Sequence, residues 1–215
     1  MTNLASQFIL AIESAVGGGS IALFADGVEI DQIVGPSSIS RAEDLLPNID
    51  ALLAKNAIDK LSLSQIVVSA GPGSFTGIRI GLATALGLAA AFRIRIRRLS
   101  TLNAIALSAT GSNDVIAALP VGRETICIQP FTGRTAQRTA ISGPEAISNT
   151  EFLTLIEDDR SHTFIVNTSI YDMIPSGIRA RAVDAGENLA AYLGRAAIHG
   201  EIADVDAPLF IGRRK

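Results

Sequence analysis

Two glycine-rich turns are the parts of this 215-residue sequence best suited to hold a charged ligand. The turn from Gly71 to Gly77 follows an apolar run and opens a helix-like one, where backbone N–H groups and the helix dipole can converge on a phosphate. The second turn, Gly17-Gly18-Gly19, follows Glu13, a carboxylate able to ligate a metal or act as a base. Neither turn has the spacing of a P-loop or of a dinucleotide-binding turn. The residues that could contact a nucleotide or phosphate are Glu13, Gly17, Gly18 and Gly73.

Other groups able to do chemistry are few. The sequence has two histidines, His162 and His199, without metal-ligand spacing, so a zinc or iron hydrolase is not indicated. Its one cysteine, Cys127, lies within an apolar strand-like run, which predicts a buried thiol rather than a nucleophile. The acidic cluster Glu157-Asp158-Asp159 falls where a helix should end and predicts a solvated turn. The list of possible catalytic groups is therefore short, and one enzyme that it leaves open is a nucleotide-dependent phosphotransferase using Glu13 and the two glycine turns.

Composition points to large buried surfaces. Hydrophobic residues make up 48% of the chain and charged residues only 18%, and some of the surface they bury can be intermolecular. A net charge of −3 gives no overall electrostatic footprint for nucleic acid. Arg93 to Arg98 alternates charged and apolar residues, which predicts an exposed edge strand or, alternatively, a phosphate-binding patch. One cysteine and no basic residue ahead of the first apolar run predict a cytoplasmic protein without a signal peptide.

The run from Ile80 to Phe92 carries no charge and predicts a helix that is apolar on all sides. Such a helix must be covered on all sides, and this run is too short for a membrane span. Small residues recur every four positions, so another backbone can approach closely along one stripe: Gly73, Gly77, Gly81, Ala85 and Ala89. The second cover is either another helix of the same chain or a partner protein, and the pattern leaves both open.

Hydrophobic patterning predicts two similar halves, each with the order β-β-β-α-β-α. In the first half, the Asp26-Gly27 dipeptide predicts a hairpin, and the expected elements are strands at 8–12, 20–24, 28–34 and 66–70 and helices at 40–55 and 80–92. In the second half they are strands at 115–119, 125–131, 136–141 and 162–166, a helix opened by a capping box at Ser148–Glu151, and a last helix from about Asp184 to His199. We therefore predict two related α/β lobes, residues 1–105 and 106–215, joined near residues 100–112.

The glycine-helix segment resembles the signature of the bacterial TsaB (YeaZ-like) family. It reads Gly71-Pro72-Gly73-Ser74-Phe75-Thr76-Gly77-Ile78-Arg79-Ile80-Gly81. Its flanks are similar too, at Ile9–Ser14, Leu45-Leu46-Pro47 and Leu99–Leu102. The resemblance covers residues 8–102, about half of the chain. The segments at 120–125 and 208–212, both in the second half, depart from the family pattern. In the first half, Arg41 stands where the family often has a histidine.

This resemblance implies an α/β fold of duplicated actin/Hsp70-like (RNase H-like) lobes with mixed central sheets. It implies a non-catalytic scaffold subunit in the synthesis of N6-threonylcarbamoyladenosine at position 37 of tRNA. The implied partners are a catalytic TsaD-like paralogue, which holds ATP and metal, and a small TsaE-like ATPase. The resemblance implies that the chain contacts tRNA through this complex and forms a homodimer when it is alone. It implies no cofactor of its own and no membrane. The implied interface lies on the first-lobe helices, at Leu45, Leu46, Ile49, Gly77, Ile78, Gly81, Leu82 and Ala85.

Overall fold

The first half of the chain forms a five-stranded mixed sheet. The computed structural model describes residues 7–36, 41–111, 114–134, 138–199 and 204–209. The strands are β1 (Phe8–Glu13), β2 (Ser20–Ala25), β3 (Val28–Val34), β4 (Leu63–Ser69) and β5 (Arg95–Leu99), in the order β3-β2-β1-β4-β5. The β2–β3 hairpin turns at Asp26 and Gly27, whose φ angles of 48° and 86° are the positive values that a type I′ turn requires. This confirms the predicted hairpin.

The second half repeats this arrangement. Its strands are β6 (Val115–Pro120), β7 (Thr125–Thr132), β8 (Thr139–Ala140), β9 (Glu145–Ser148), β10 (Thr163–Val166) and β11 (Ala182–Asp184). They are ordered β11-β10-β6-β7-β8, with β9 also paired to β7. Read from its other end, this is the strand order of the first sheet, with the antiparallel pair β6–β7 matching β1–β2 and the parallel pair β10–β6 matching β1–β4. The predicted duplication is therefore present.

The helices interlock the two halves. They are α1 (Arg41–Lys55), α2 (Phe75–Phe92), α3 (Thr101–Ser108), α4 (Asn149–Asp158), α5 (Thr168–Met173) and α6 (Leu189–His199). One face of the first sheet packs against α1 and α2, and the other face packs against α6, which comes from the second half. In return α3 packs on β6 and β7, while α4 and α5 cover the far face of the second sheet. The predicted boundary after residue 105 falls inside α3.

Several elements differ from the sequence predictions. Helix α2 begins at Phe75 rather than at residue 80, because the Ser74 side chain caps its first turn. The link predicted near residues 100–112 instead contains α3, whose N-cap is Ser100. The last helix begins at Leu189, since residues 182–184 form β11. The capping box at Ser148 and Glu151 is confirmed, with both of its hydrogen bonds present, whereas Ser40, the predicted start of α1, lies outside the described residues.

The apolar run was predicted to be too short for a membrane span, but α2 begins five residues earlier. With 18 residues and a mean hydropathy of 1.5, it has the length and composition of a membrane span, the one such helix among those described. It buries 28% of its residues in the protein. The buried residues are Gly77, Ile78, Gly81, Ala85 and Ala89, and they face the chain's own first sheet. One side of α2 therefore packs on the first sheet, and its other side is left uncovered.

Candidate protein-protein interface

The glycine turn before α2 is fastened to the end of β1. The Ser74 backbone N–H donates to the Ala15 carbonyl oxygen at 2.7 Å, and the Ser14 hydroxyl donates to the Gly77 carbonyl oxygen at 2.8 Å. The Ser74 Oγ accepts from the Gly77 N–H at 3.3 Å and so caps the helix. The N–H groups of Ser74 and Gly77 thus donate to acceptors within the protein, the Ala15 carbonyl oxygen and the Ser74 hydroxyl. The glycines of this turn let α2 pack against β1, and the turn does not form an open site for an anion.

The stripe of small residues faces inward. A Cβ atom on Gly77 would overlap the Ser14 carbonyl oxygen, and one on Gly81 would overlap the Ser14 hydroxyl. The close backbone approach predicted for this stripe therefore exists, and the approaching backbone is the protein's own. In the set predicted to contact a partner, six residues lie in this core: Leu45, Ile49, Gly77, Ile78, Gly81 and Ala85. The other two, Leu46 and Leu82, reach the surface.

The opposite side of α2 is apolar and open. Leu46 of α1 is 51% exposed, and Phe75 and Leu86 of α2 are 48% and 52% exposed. Leu82 is partly exposed between them, and the small residues Ala83, Gly87 and Ala90 extend the same side of the helix. We call Leu46, Phe75, Leu82 and Leu86 the α1–α2 face. The guanidinium of Arg79 lies over the Phe75 ring, 3.7 Å from its centroid, and is the charged group that the face carries on α2.

The inward stripe also indicates which residues point outward. In a helix of 3.6 residues per turn, the positions opposite Gly77, Gly81 and Ala85 are those near 75, 79, 82–83 and 86. The sequence prediction omitted Phe75 and Leu86 because it took the small residues as the contact surface. The alternative that α2 is covered on one side by its own sheet and on the other by a partner was left open, and the exposed face is consistent with it.

Of the four residues predicted to contact a nucleotide, Glu13, Gly18 and Gly73 have partners within the protein, whereas a Cβ atom on Gly17 would meet open space. Glu13 is fully buried, and its carboxylate accepts from the N–H groups of Ala15 at 2.7 Å and Val16 at 3.1 Å. Gly73 packs against Ala15, and Gly18 packs against the backbone of Gly35 and Pro36. The cavity beside Gly17 and Gly18 has a volume of about 40 Å³, well below the roughly 300 Å³ at which small-molecule pockets begin.

The arginine-rich segment forms β5, an edge strand as predicted, and the C-terminal segment 204–209 lies along it. Arg97 Nε donates to Asp204 Oδ1 at 2.8 Å, and the Val205 N–H donates to the Arg98 carbonyl oxygen at 2.7 Å. At its far end, the Leu209 N–H donates to the Ala70 carbonyl oxygen at 2.7 Å, just before the glycine turn. The Arg97 guanidinium therefore pairs with a carboxylate of the protein itself, so fewer of the arginines on β5 are available to bind a phosphate.

The remaining candidate groups have structural surroundings. Burial raises the pKa of the Cys127 thiol to about 12, in agreement with the predicted buried thiol. His162 Nδ1 lies 2.6 Å from Asp159 Oδ2 in the turn after α4. Burial alone would raise the pKa of the Asp159 carboxyl, but hydrogen bonds from Ser161 and His162 outweigh it and lower that pKa to about 2. Among the described residues, no three His, Cys, Asp or Glu side chains are grouped to hold a metal ion.

Comparison with known proteins identifies the family. A family model described as TsaD, tRNA N6-adenosine threonylcarbamoyltransferase, matches residues 30–207. The tRNA threonylcarbamoyladenosine biosynthesis protein TsaB of Escherichia coli is 32% identical over 114 residues, 52% of this chain and 49% of that protein. An uncharacterized protein of Mycobacterium leprae is 29% identical over 149 residues, 67% of this chain and 40% of that protein. The matched part of the chain thus spans about half the length of its curated relatives, or less.

The fold comparison covers nearly the whole chain. The structure of YeaZ from Pseudomonas aeruginosa superimposes with a TM-score of 0.68 over 94% of this chain and 99% of that one, at 22% sequence identity. Together with the repeated strand order of the two sheets, this match confirms the predicted duplicated, actin-like α/β fold. The chain belongs to the family of that threonylcarbamoyltransferase model and, within it, is similar to the TsaB (YeaZ-like) proteins.

Proposed function

We propose that this protein is a non-catalytic scaffold subunit in the biosynthesis of N6-threonylcarbamoyladenosine at position 37 of tRNA. Its family membership and the relatives named for that biosynthesis support the pathway. In this role it binds a catalytic TsaD-like paralogue in the cytoplasm, and a TsaE-like ATPase joins the assembly. Alone, it pairs with its own copy, and it meets tRNA through the complex.

The observation that carries this proposal is the α1–α2 face. Leu46, Phe75 and Leu86 each leave about half of their surface exposed. Burying a large apolar side chain completely contributes about 1.5–3 kcal/mol, so covering the open half of each would contribute roughly 1 kcal/mol. Phe75 with Arg79 stacked on its ring supplies the two residue types, aromatic and arginine, that most often dominate binding energy at interfaces. A partner helix of similar apolar character fits this face.

We assign ATP and metal to the catalytic partner rather than to this chain. The Glu13 carboxylate, the acidic group nearest the glycine turns, accepts hydrogen bonds from two backbone N–H groups of its own loop. Gly18 and Gly73 pack against backbone atoms where a phosphate would have to approach. These contacts favour a structural use of both turns over a phosphotransferase site.

Reconstitution with the catalytic paralogue tests this proposal. We expect tRNA modification by the paralogue to require this chain. We also expect Phe75→Asp or Leu86→Asp to weaken their association at least tenfold, since a hot-spot residue at the centre of an interface typically contributes about 2 kcal/mol or more and about 1.4 kcal/mol corresponds to tenfold. The matched control is Ile141→Asp, an exposed apolar residue of the second lobe, which should leave association unchanged. Full association of both α2 variants would refute the α1–α2 face. Measurable binding of Mg-ATP by the isolated chain would instead favour the phosphotransferase.

A further inference from the structure

The second sheet has a cavity of about 320 Å³ on the face turned toward α6. Its apolar floor is formed by Val115, Ile165 and Val183, from three neighbouring strands, β6, β10 and β11. Tyr192 and Arg195 of α6 form the opposite wall. The α1–α2 face lies on the other side of the first sheet from α6, so the cavity is separate from the proposed partner interface.

The duplication explains why the cavity exists. In the first sheet, α6 has 11 residues and packs along β1, β2 and β4. Its counterpart on the second sheet, α3, has 8 residues and packs on β6 and β7. A helix three residues shorter covers about 4.5 Å less of the sheet, and the ends of β10 and β11 remain open beyond it. Val183 is consequently 51% exposed although it lies on an apolar floor.

A permanent cation stands at the edge of this apolar cavity. The Arg195 Nη2 donates to Glu29 Oε2 of β3 at 2.7 Å, and the guanidinium lies 5.6 Å from the Tyr192 ring centroid. Half of the Arg195 side chain is exposed. A guanidinium carries five N–H donors, and the contact with Glu29 uses one of its nitrogens. Arg195 can therefore receive a second anion beside Glu29.

We propose that this cavity binds a small organic anion with an aromatic or branched aliphatic body. The body lies on Val115, Ile165 and Val183, and its carboxylate pairs with Arg195. The cavity volume falls at the lower end of the range of about 300–1,000 Å³ found for small-molecule sites, which are mostly apolar with a few convergent polar groups. A guanidinium fork suits a carboxylate, with which it can form two parallel hydrogen bonds.

A matched pair of variants tests the role of the cation. Arg195→Gln and Glu29→Gln break the same salt bridge, but only the second keeps the guanidinium. With naphthalene-2-carboxylate as the probe and the full chain titrated by calorimetry, we expect Arg195→Gln to weaken binding at least tenfold, since losing even one charge-assisted hydrogen bond has about that effect. Glu29→Gln should leave the affinity unchanged or raise it. The neutral probe naphthalene-2-carboxamide should bind wild type and Arg195→Gln equally.

The apolar floor is tested separately. Val183→Asp should abolish binding of naphthalene-2-carboxylate, because it places a like charge on the floor, while Ile141→Asp, an exposed apolar residue of the same lobe, should not. Thermal melts serve to check that both variants fold. Neither variant should change the association with the catalytic paralogue. No saturable binding of the probe to wild type at millimolar concentration, equal losses in Arg195→Gln and Glu29→Gln, or full binding by Val183→Asp would each overturn the proposal.

Discussion

Replacing Gly77 of α2 with alanine is expected to destabilise the protein, whereas the same replacement at Gly87 is expected to stabilise it. Both glycines lie inside the helix, where alanine is preferred by about 1 kcal/mol. A Cβ atom on Gly87 would have open space around it, while one on Gly77 would overlap the Ser14 carbonyl oxygen and approach the Ala15 Cα at 2.9 Å. The two substitutions therefore share the same gain in helix propensity and differ in packing.

The magnitudes follow from that difference. Gly87→Ala should raise the free energy of unfolding by about 0.5–1 kcal/mol. At Gly77 the overlapping atoms belong to the backbone of β1, which cannot rotate away, and overpacking of a core costs about 1–3 kcal/mol. The overlap at this position is severe, so the cost should fall at or above the upper end of that range, and the net effect of Gly77→Ala is a loss of about 2 kcal/mol or more.

Gly81 provides an internal check. Its Cβ would overlap the Ser14 hydroxyl, a side-chain atom that can turn away at the loss of its hydrogen bond to Gly77. We expect Gly81→Ala to be close to neutral, and Ser14→Ala combined with Gly81→Ala to be more stable than the sum of the single changes predicts. Urea unfolding at constant pH measures the stability of wild type and of the five variants. If Gly77→Ala were as stable as Gly87→Ala, the inward orientation of the glycine stripe would be wrong.

Two further predictions concern groups with shifted pKa values. Although burial would raise the pKa of Asp159, hydrogen bonds from Ser161 and His162 lower it from its ordinary 3.8 to about 2, so its carboxylate stabilises the fold above about pH 4 and this contribution is lost as the pH falls toward 2. The stability advantage of wild type over Asp159→Asn, measured by urea unfolding, should accordingly shrink between about pH 4 and pH 2; an advantage that stays undiminished over that range would contradict the assignment. Cys127 is fully buried and its pKa is raised to about 12, so a thiol reagent at pH 8 should label it only at the rate of unfolding, and fast labelling of the folded protein would show an accessible thiol.

Local patterns predicted most of the strands because their signals lie within a few residues. Runs such as Ile66-Val67-Val68 and the Asp26-Gly27 turn specify a buried strand and a hairpin without help from distant parts of the chain. The exchange of α3 and α6 between the halves was not predicted, since it depends on contacts between residues far apart in sequence. A short helix such as α3, eight residues long, also leaves little periodicity to detect.

The sequence did not predict which side of α2 faces outward, and this is the main reason why the site was predicted incompletely. The small-residue stripe was found correctly from its spacing, but the partner of that stripe is the Ser14–Ala15 backbone, which is more than sixty residues away along the chain. Spacing alone cannot distinguish a stripe that admits the chain's own strand from one that admits another protein. The distinction needed the position of β1, and with it the outward residues Phe75 and Leu86 became apparent.

The two sides of α2 should therefore be separable by mutation. A helix that is apolar all round needs two covers, and the glycine side already has one in β1, since Gly77 and Gly81 are buried there. The other side keeps Phe75 and Leu86 about half exposed, and a half-exposed side chain adds little to the stability of the isolated chain. We expect Gly77→Ala to lower stability while the folded fraction still binds the paralogue normally, and Phe75→Asp to weaken binding at nearly unchanged stability. If each variant lowered both the melting temperature and the affinity for the paralogue, the glycine stripe and the α1–α2 face would act as one surface.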